Sequence, residues 1–245
     1  MRRFAAVFVV SAILSACSSV IDSAQQTAQT KFQQFLANQF GRRLQAGIDA
    51  AIETLAAKGG FLDDPLVRIL LPPPLGLVVG VARDLQENPK ATLLETLLNQ
   101  AAEHAIPVAG PILKNIVSNM DTPSLENVMN KGDEAATDYL KEKGGAVVQA
   151  ALLPAVTREL HANGAIKLYG ELLDAKEKAD AVAQTAHDVQ QKIETAQQQV
   201  ETVQQQAEAV QNVSQEQLGQ YVAERATAGL FKKVAKEELS VRRGF

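Results

Sequence analysis

Apolar residues recur at helical spacing over most of this chain, and the breaks between runs carry Gly and Pro. Phe4 to Leu14 is an apolar run in which Ser11 is the polar residue. A helix is expected to start near Ser23, with Phe32, Phe35, Leu36 and Phe40 on one face. Gly41 interrupts it. Leu44, Ile48, Ile52 and Leu55 then give a second apolar face that Gly59-Gly60 stops. The phenylalanines read as core, with a membrane-facing surface as the alternative.

Phe61 to Leu75 breaks the helical rhythm. Pro72-Pro73-Pro74 forbids a helix and favours an extended strap. No side chain from Ile69 to Val81 is charged. That run is too short and proline-broken to cross a bilayer. It is expected to cross the interior as a buried strap and enter a short helix at Leu75 to Val81. Arg68 is the cation in this apolar setting, and a buried guanidinium needs a carboxylate or several carbonyls. An ion pair to Asp63 or Asp64 is the first expectation, and a clamp for an anionic ligand the second.

Short helices follow. Leu93, Leu94, Leu97, Leu98 and Ala101 make one face; Pro107 and Pro111 set the start of the next helix. Thr122-Pro123 reads as a cap with proline in the first turn. Asp133 is positioned to cap a helix ending at Gly144-Gly145. Ala146 to His161 forms another, with Pro154 inside it, and Asn163-Gly164 closes it. A heptad then runs from Leu168 through Leu172, Ala175, Ala179 and Val182 to Val210, with no Gly or Pro between Glu171 and Leu218. This is the pattern of a coiled coil. Ser214 and Gln217 form a capping box, so a final helix from about Gln215 to Leu239 is expected to fold back along the arm. Pairing between two molecules is the alternative. The fold expected is all-α: a multi-helix bundle with a proline strap and a long coiled-coil-like arm.

The chain start changes the picture. Arg2 and Arg3, the apolar run and Leu14-Ser15-Ala16-Cys17 make a secretory signal peptide. The last four residues resemble the lipobox of bacterial lipoproteins, with cleavage between Ala16 and Cys17 and lipid on Cys17. The chain divides into a signal peptide (1–16), a lipidated tether (17–23), a helical body (24–167), the heptad helix (168–213) and a C-terminal helix on body and arm (214–245). Ser18 after the cysteine resembles the pattern for release to the outer membrane, facing the periplasm. The uncharged N-terminal run is short for a spanning helix, which needs roughly 20 residues. Cys17 is the lone cysteine, so the chain forms no internal disulfide.

Composition sharpens this only slightly. The chain has no tryptophan and a formal charge of −4, which becomes −6 once Arg2 and Arg3 are removed. No basic stripe points to nucleic acid. His104, His161 and His187 have no ligand spacing, and no nucleophile elbow, phosphate loop or dinucleotide fingerprint occurs. Neither a metal, a cofactor nor an enzymatic activity is expected. Ala135-Ala136-Thr137 beside Asp133 reads as tight helix packing, with a pocket wall as the alternative.

With strap and C-terminal helix in view, the chain resembles the bacterial lipoprotein-type family catalogued as domain of unknown function four-one-nine-seven. The matching pieces are Phe61-Leu62 with Pro65, Val67-Arg68-Ile69, Leu71-Pro72-Pro73-Pro74-Leu75, Pro107, Pro111, Ala135-Ala136-Thr137 with Tyr139, and Pro154. Tyr221-Val222, Ala226, Gly229-Leu230-Phe231, Val234-Ala235, Glu237-Glu238 and Arg242 complete them. Leu70 stands where the family tends to have proline. The chain stops soon after Arg242, and the stretch from Tyr169 to Tyr221 is longer than in the family. The resemblance implies a mostly helical body at the envelope and no catalytic residues. The function expected is an outer-membrane-anchored module that meets an envelope protein or a second copy through its arm. A binding module for lipid or another apolar ligand is the alternative.

Overall fold

The computed structural model describes residues 5–76, 88–194 and 213–244, and among them it is all-α. The helices are α1 (Ala5–Ala56), α2 (Pro89–Ala105), α3 (Ala109–Ser118), α4 (Thr122–Asn130), α5 (Ala135–Ala162), α6 (Ala165–Glu194) and α7 (Leu218–Arg242), with a 3-10 turn at Ile106–Val108. Among the described residues no helix is long and apolar enough to cross a membrane.

α5 is the hub. It packs against α2, α3, α4, α6 and α7, while α1 lies across α3, α4 and α7. The core joins Phe40, Leu44, Ile48 and Leu55 of α1 to Leu94 and Leu98 of α2, Leu140 and Leu152 of α5, and Leu230 and Val234 of α7. Small residues set the spacing. Ala101, Ala102, Ala105 and Ala109 are fully buried, so their helices approach closely without large side chains between them.

Two expected breaks are not breaks. α1 continues through Gly41, and α5 continues through Gly144 and Gly145. Packing explains both. A Cβ on Gly41 would come 3.3 Å from Leu125, and one on Gly144 would meet Ile116 at 2.6 Å. These glycines admit neighbouring helices, and the burial of their helices outweighs a propensity cost of about 1 kcal/mol each. Gly59 and Gly164 do end helices, both at φ +81°.

Caps differ in detail. Asp121, not Thr122, caps α4: its carboxylate accepts the Ser124 amide at 3.0 Å, with Pro123 in the first turn. Hydrogen bonding from the Ser124 side chain, and then from its amide, holds the Asp121 carboxyl below its usual range. Gln217 accepts the Ser214 amide at 3.1 Å, half of the expected capping box.

The phenylalanine face is split. Phe40 is fully buried, whereas Phe32 and Phe35 are 58% and 55% exposed. The short helix expected at Leu75 to Val81 lies mostly outside the described residues; Leu75 and Gly76 form a turn. The heptad beyond Glu194 also lies largely outside them. α7 packs chiefly on α5 and α1, where Gly145 faces Phe231 and Gly47 faces Glu237 and Val241. The expected packing on the body is thus present among the described residues, and the arm against which it was also expected lies mostly outside them.

Candidate functional site

The segment from Phe61 to Gly76 contains no helix and threads between α2 and α7. Its side chains alternate, with Val67 and Ile69 buried and Leu66, Arg68 and Leu70 exposed. Residues 61–63, 65–67 and 73–76 are in turns, and a segment of this kind brings backbone polar groups into the core without a ladder to satisfy them. Side chains do so instead. The Asn99 amide donates to the Ile69 carbonyl at 2.8 Å and its oxygen accepts the Ile69 N–H at 2.9 Å. One turn later on α2, buried Glu103 accepts the Phe61 N–H at 3.3 Å.

The other carbonyls are taken from α6 and α7. Lys232 donates to Leu66 O at 2.9 Å, and the Tyr221 hydroxyl to Leu70 O at 3.2 Å. The Tyr169 hydroxyl lies 3.1 Å from Pro73 O and 2.6 Å from Val213 O, while the Val213 amide donates to Pro73 O at 2.8 Å. Burial pushes the Tyr169 hydroxyl up to about 12, aided by neighbouring Tyr221. Burial also raises Tyr221, against the lowering effect of Arg225, whose guanidinium lies 5.1 Å from its ring.

The expected ion pair at Arg68 has a different partner. Arg68 pairs with Glu95 of α2, and its side chain is 45% exposed. Asp64 pairs with Lys233 of α7, whose hydrogen bond holds the carboxyl below its usual range, helped by the Leu66 amide at 2.9 Å. Asp63 stands against Gly59 in the preceding turn. The alternation from Leu66 to Leu70 turns Arg68 outward, to Glu95 of α2.

A second network ties the far end of α7 to the body. Glu238 is fully buried. Its carboxylate accepts the Ala136 and Thr137 amides at 2.9 and 2.7 Å and the Thr137 hydroxyl at 2.6 Å. It therefore caps α5, taking the role expected of Asp133; α5 has no side-chain cap of its own. One turn on, Arg242 contacts Glu238 at 2.5 Å and donates to Val128 O and Met129 O at 3.0 Å each. It also lies 5.2 Å from the Phe40 ring. The anion sits on a helix N-terminus and the cation on the carbonyls ending α4, as the helix dipoles favour.

Two open grooves flank these contacts. One of about 540 Å³ lies between α5 and α7, lined by Thr137, Lys141, Gln149, Glu224 and Phe231. Another of about 640 Å³ lies at the strap end, lined by Pro73, Val213, Gln217, Tyr221 and Arg225. Ala135 lines a smaller groove with Tyr139, and Ala136 is buried. Both expectations for that triplet hold at different residues.

His104 meets Glu159 at 3.2 Å, and His161 lines a surface groove with Lys167 and Asp174. Among the described residues, no three His, Cys, Asp or Glu side chains gather as a metal site requires. Ala16 and Cys17 fall within α1. The arm begins inside the core with Tyr169 and Leu172, and then leaves it. Ala175, Ala179 and Val182 are exposed, Val182 at 71%.

Asn99, Glu103 and Glu238 carry no sequence motif. Their signal was a polar residue within an apolar helical face: Asn99 and Glu103 sit among Leu94, Leu98, Ala101 and Ala102.

The profile of a family described as protein of unknown function, DUF4197, matches residues 32–197 and 190–245, two pieces that meet in the heptad segment. No curated protein and no solved structure matches the chain. The strap, Ala136, Thr137, Glu238 and Arg242 all fall within the matched span, and the chain belongs to the DUF4197 family.

Proposed function

We propose that this chain is a non-catalytic lipoprotein of the cell envelope. Lipid on Cys17 holds it to the periplasmic face of the outer membrane, and its arm engages an envelope protein or a second copy. The observation that carries the reading is the heptad on α6. Its first apolar positions are in the core, whereas Ala175, Ala179 and Val182 emerge into solvent at the same spacing. A helix with a wet seam of small apolar residues invites a close-packed partner helix. The lipobox-like Leu14-Ser15-Ala16-Cys17 supports the anchor, since dual or multiple acylation gives stable attachment where one chain gives only marginal binding.

A photo-cross-linking residue at Val182 in intact cells tests the partner. A discrete adduct, missing when the probe is moved to Val147 on α5, is the expected result. No adduct at Val182 ends the interaction reading. Cys17→Ser tests the anchor: the variant should lose lipid and leave the membrane fraction, and a variant that still sediments with lipid attached defeats it.

A further inference from the structure

α1 carries two apolar stripes on opposite sides. From Ala37 onward the buried side holds Ala37, Leu44, Ile48 and Leu55. Phe35 is two residues before Ala37, and at about 3.6 residues per turn that places it across the helix. Between 28 and 35 the apolar positions are Ala28, Phe32 and Phe35, and Thr30, Gln33 and Gln34 occupy the reverse side. All of these are exposed. The Phe32 and Phe35 rings thus point away from the body and do not extend its core. Cys17 stands eighteen positions before Phe35 in the same unbroken helix. That is five turns at about 3.6 residues each.

We propose that this side of α1 lies along a lipid surface, with Phe32 and Phe35 at the headgroup–acyl boundary and the body facing away. The inference rests on the anchoring proposed above. A helix standing upright on Cys17 would lift Phe35 about 27 Å from the leaflet and leave both rings in water. Laid flat, the helix brings the lipidated residue and both rings to the bilayer together, as interfacial amphipathic helices do. Exposed Lys31 flanks the stripe and Arg42 follows on the same side, a placement that suits anionic headgroups.

The absence of tryptophan makes the test direct. Phe35→Trp, Phe32→Trp and, as a body control, Val147→Trp are introduced singly into the full-length lipidated protein. Each is reconstituted in vesicles of phosphatidylethanolamine and phosphatidylglycerol, with and without brominated acyl chains. Residues 32, 35 and 147 are all exposed, so folding is not at stake. The expected result is blue-shifted emission and strong bromine quenching at 32 and 35, with red, unquenched emission at 147. Vesicle-bound protein whose residues 32 and 35 are not quenched overturns the proposal and leaves the anchor standing. A blue shift without quenching, accompanied by a dimer mass, assigns the face to a second copy and equally overturns it. Unlipidated Cys17 and failure to float with vesicles defeat the anchor and this proposal together.

Discussion

Replacing Glu238 is the sharpest perturbation of this fold. In Glu238→Ala the first turn of α5 loses the acceptor of two amides and of the Thr137 hydroxyl. Arg242, whose side chain is 13% exposed, loses its carboxylate and keeps only carbonyl partners. Removing one member of a buried ion pair costs about 3–5 kcal/mol, because the other charge stays buried. A lost helix cap costs about 1 kcal/mol on its own, but the two share one carboxylate and do not add. The expected loss is therefore about 3–5 kcal/mol, large for a single substitution. Urea denaturation followed by helical circular dichroism reads it as a lower midpoint at unchanged slope. Glu238→Gln, which keeps one acceptor, should fall between wild type and Ala. Arg242→Met and the double variant complete a cycle whose coupling should exceed about 1 kcal/mol. A loss below about 1 kcal/mol for Glu238→Ala would refute the reasoning, since that is the range of ordinary surface changes.

Four further outcomes follow from the strap. Asn99→Ala should destabilise by about 1–3 kcal/mol for each polar group of Ile69 left unpaired, read by the same denaturation. Tyr169→Phe should cost about 1 kcal/mol by removing the hydrogen bond to the half-buried Val213 carbonyl, while Pro73 O keeps the Val213 amide. Because the folded Tyr169 pKa is raised to about 12, its contribution is full below the unfolded value of about 10 and fades as pH rises through 12. Alkaline absorbance titration should accordingly show a late step that Tyr169→Phe removes. Asp64 is depressed by Lys233, so its contribution is present above the unfolded carboxylate range and is lost as pH falls through the folded value. Asp64→Asn should flatten the acid limb of the stability–pH curve, and an unchanged limb would count against the pair. Gly229→Val should cost about 1–3 kcal/mol by overpacking, since even a Cβ there would lie 2.9 Å from Phe61 and 3.3 Å from Val67.

Periodicity made the helical class readable, and three prolines excluded a helix from their segment, although Pro73 and Pro74 stand in a turn and not in an extended strap. Gly59 and Asn163-Gly164 were legible as stops because positive φ and helix ends favour those residues. Gly41 and Gly144 misled for a physical reason: a glycine that admits a neighbouring helix looks in sequence like one that ends its own. The cap on α5 was beyond reach, because Glu238 lies 102 positions from Ala136 and local rules weigh only neighbours such as Asp133. Arg68 was paired with the wrong carboxylate for the same cause. Its nearest aspartates in sequence lie on a strap that points it elsewhere. Phe32 and Phe35 looked like core because spacing gives a face but not its direction.

Several of the contacts that close this fold come from its last helix. Lys232, Lys233 and Tyr221 hold the strap, and Glu238 with Arg242 joins α4 to α5. A polypeptide made from its amino end therefore lacks its clasp until synthesis is nearly over. Until then the Leu66 and Leu70 carbonyls and the first turn of α5 are left to water. Its polar contacts are complete only when its tail is present.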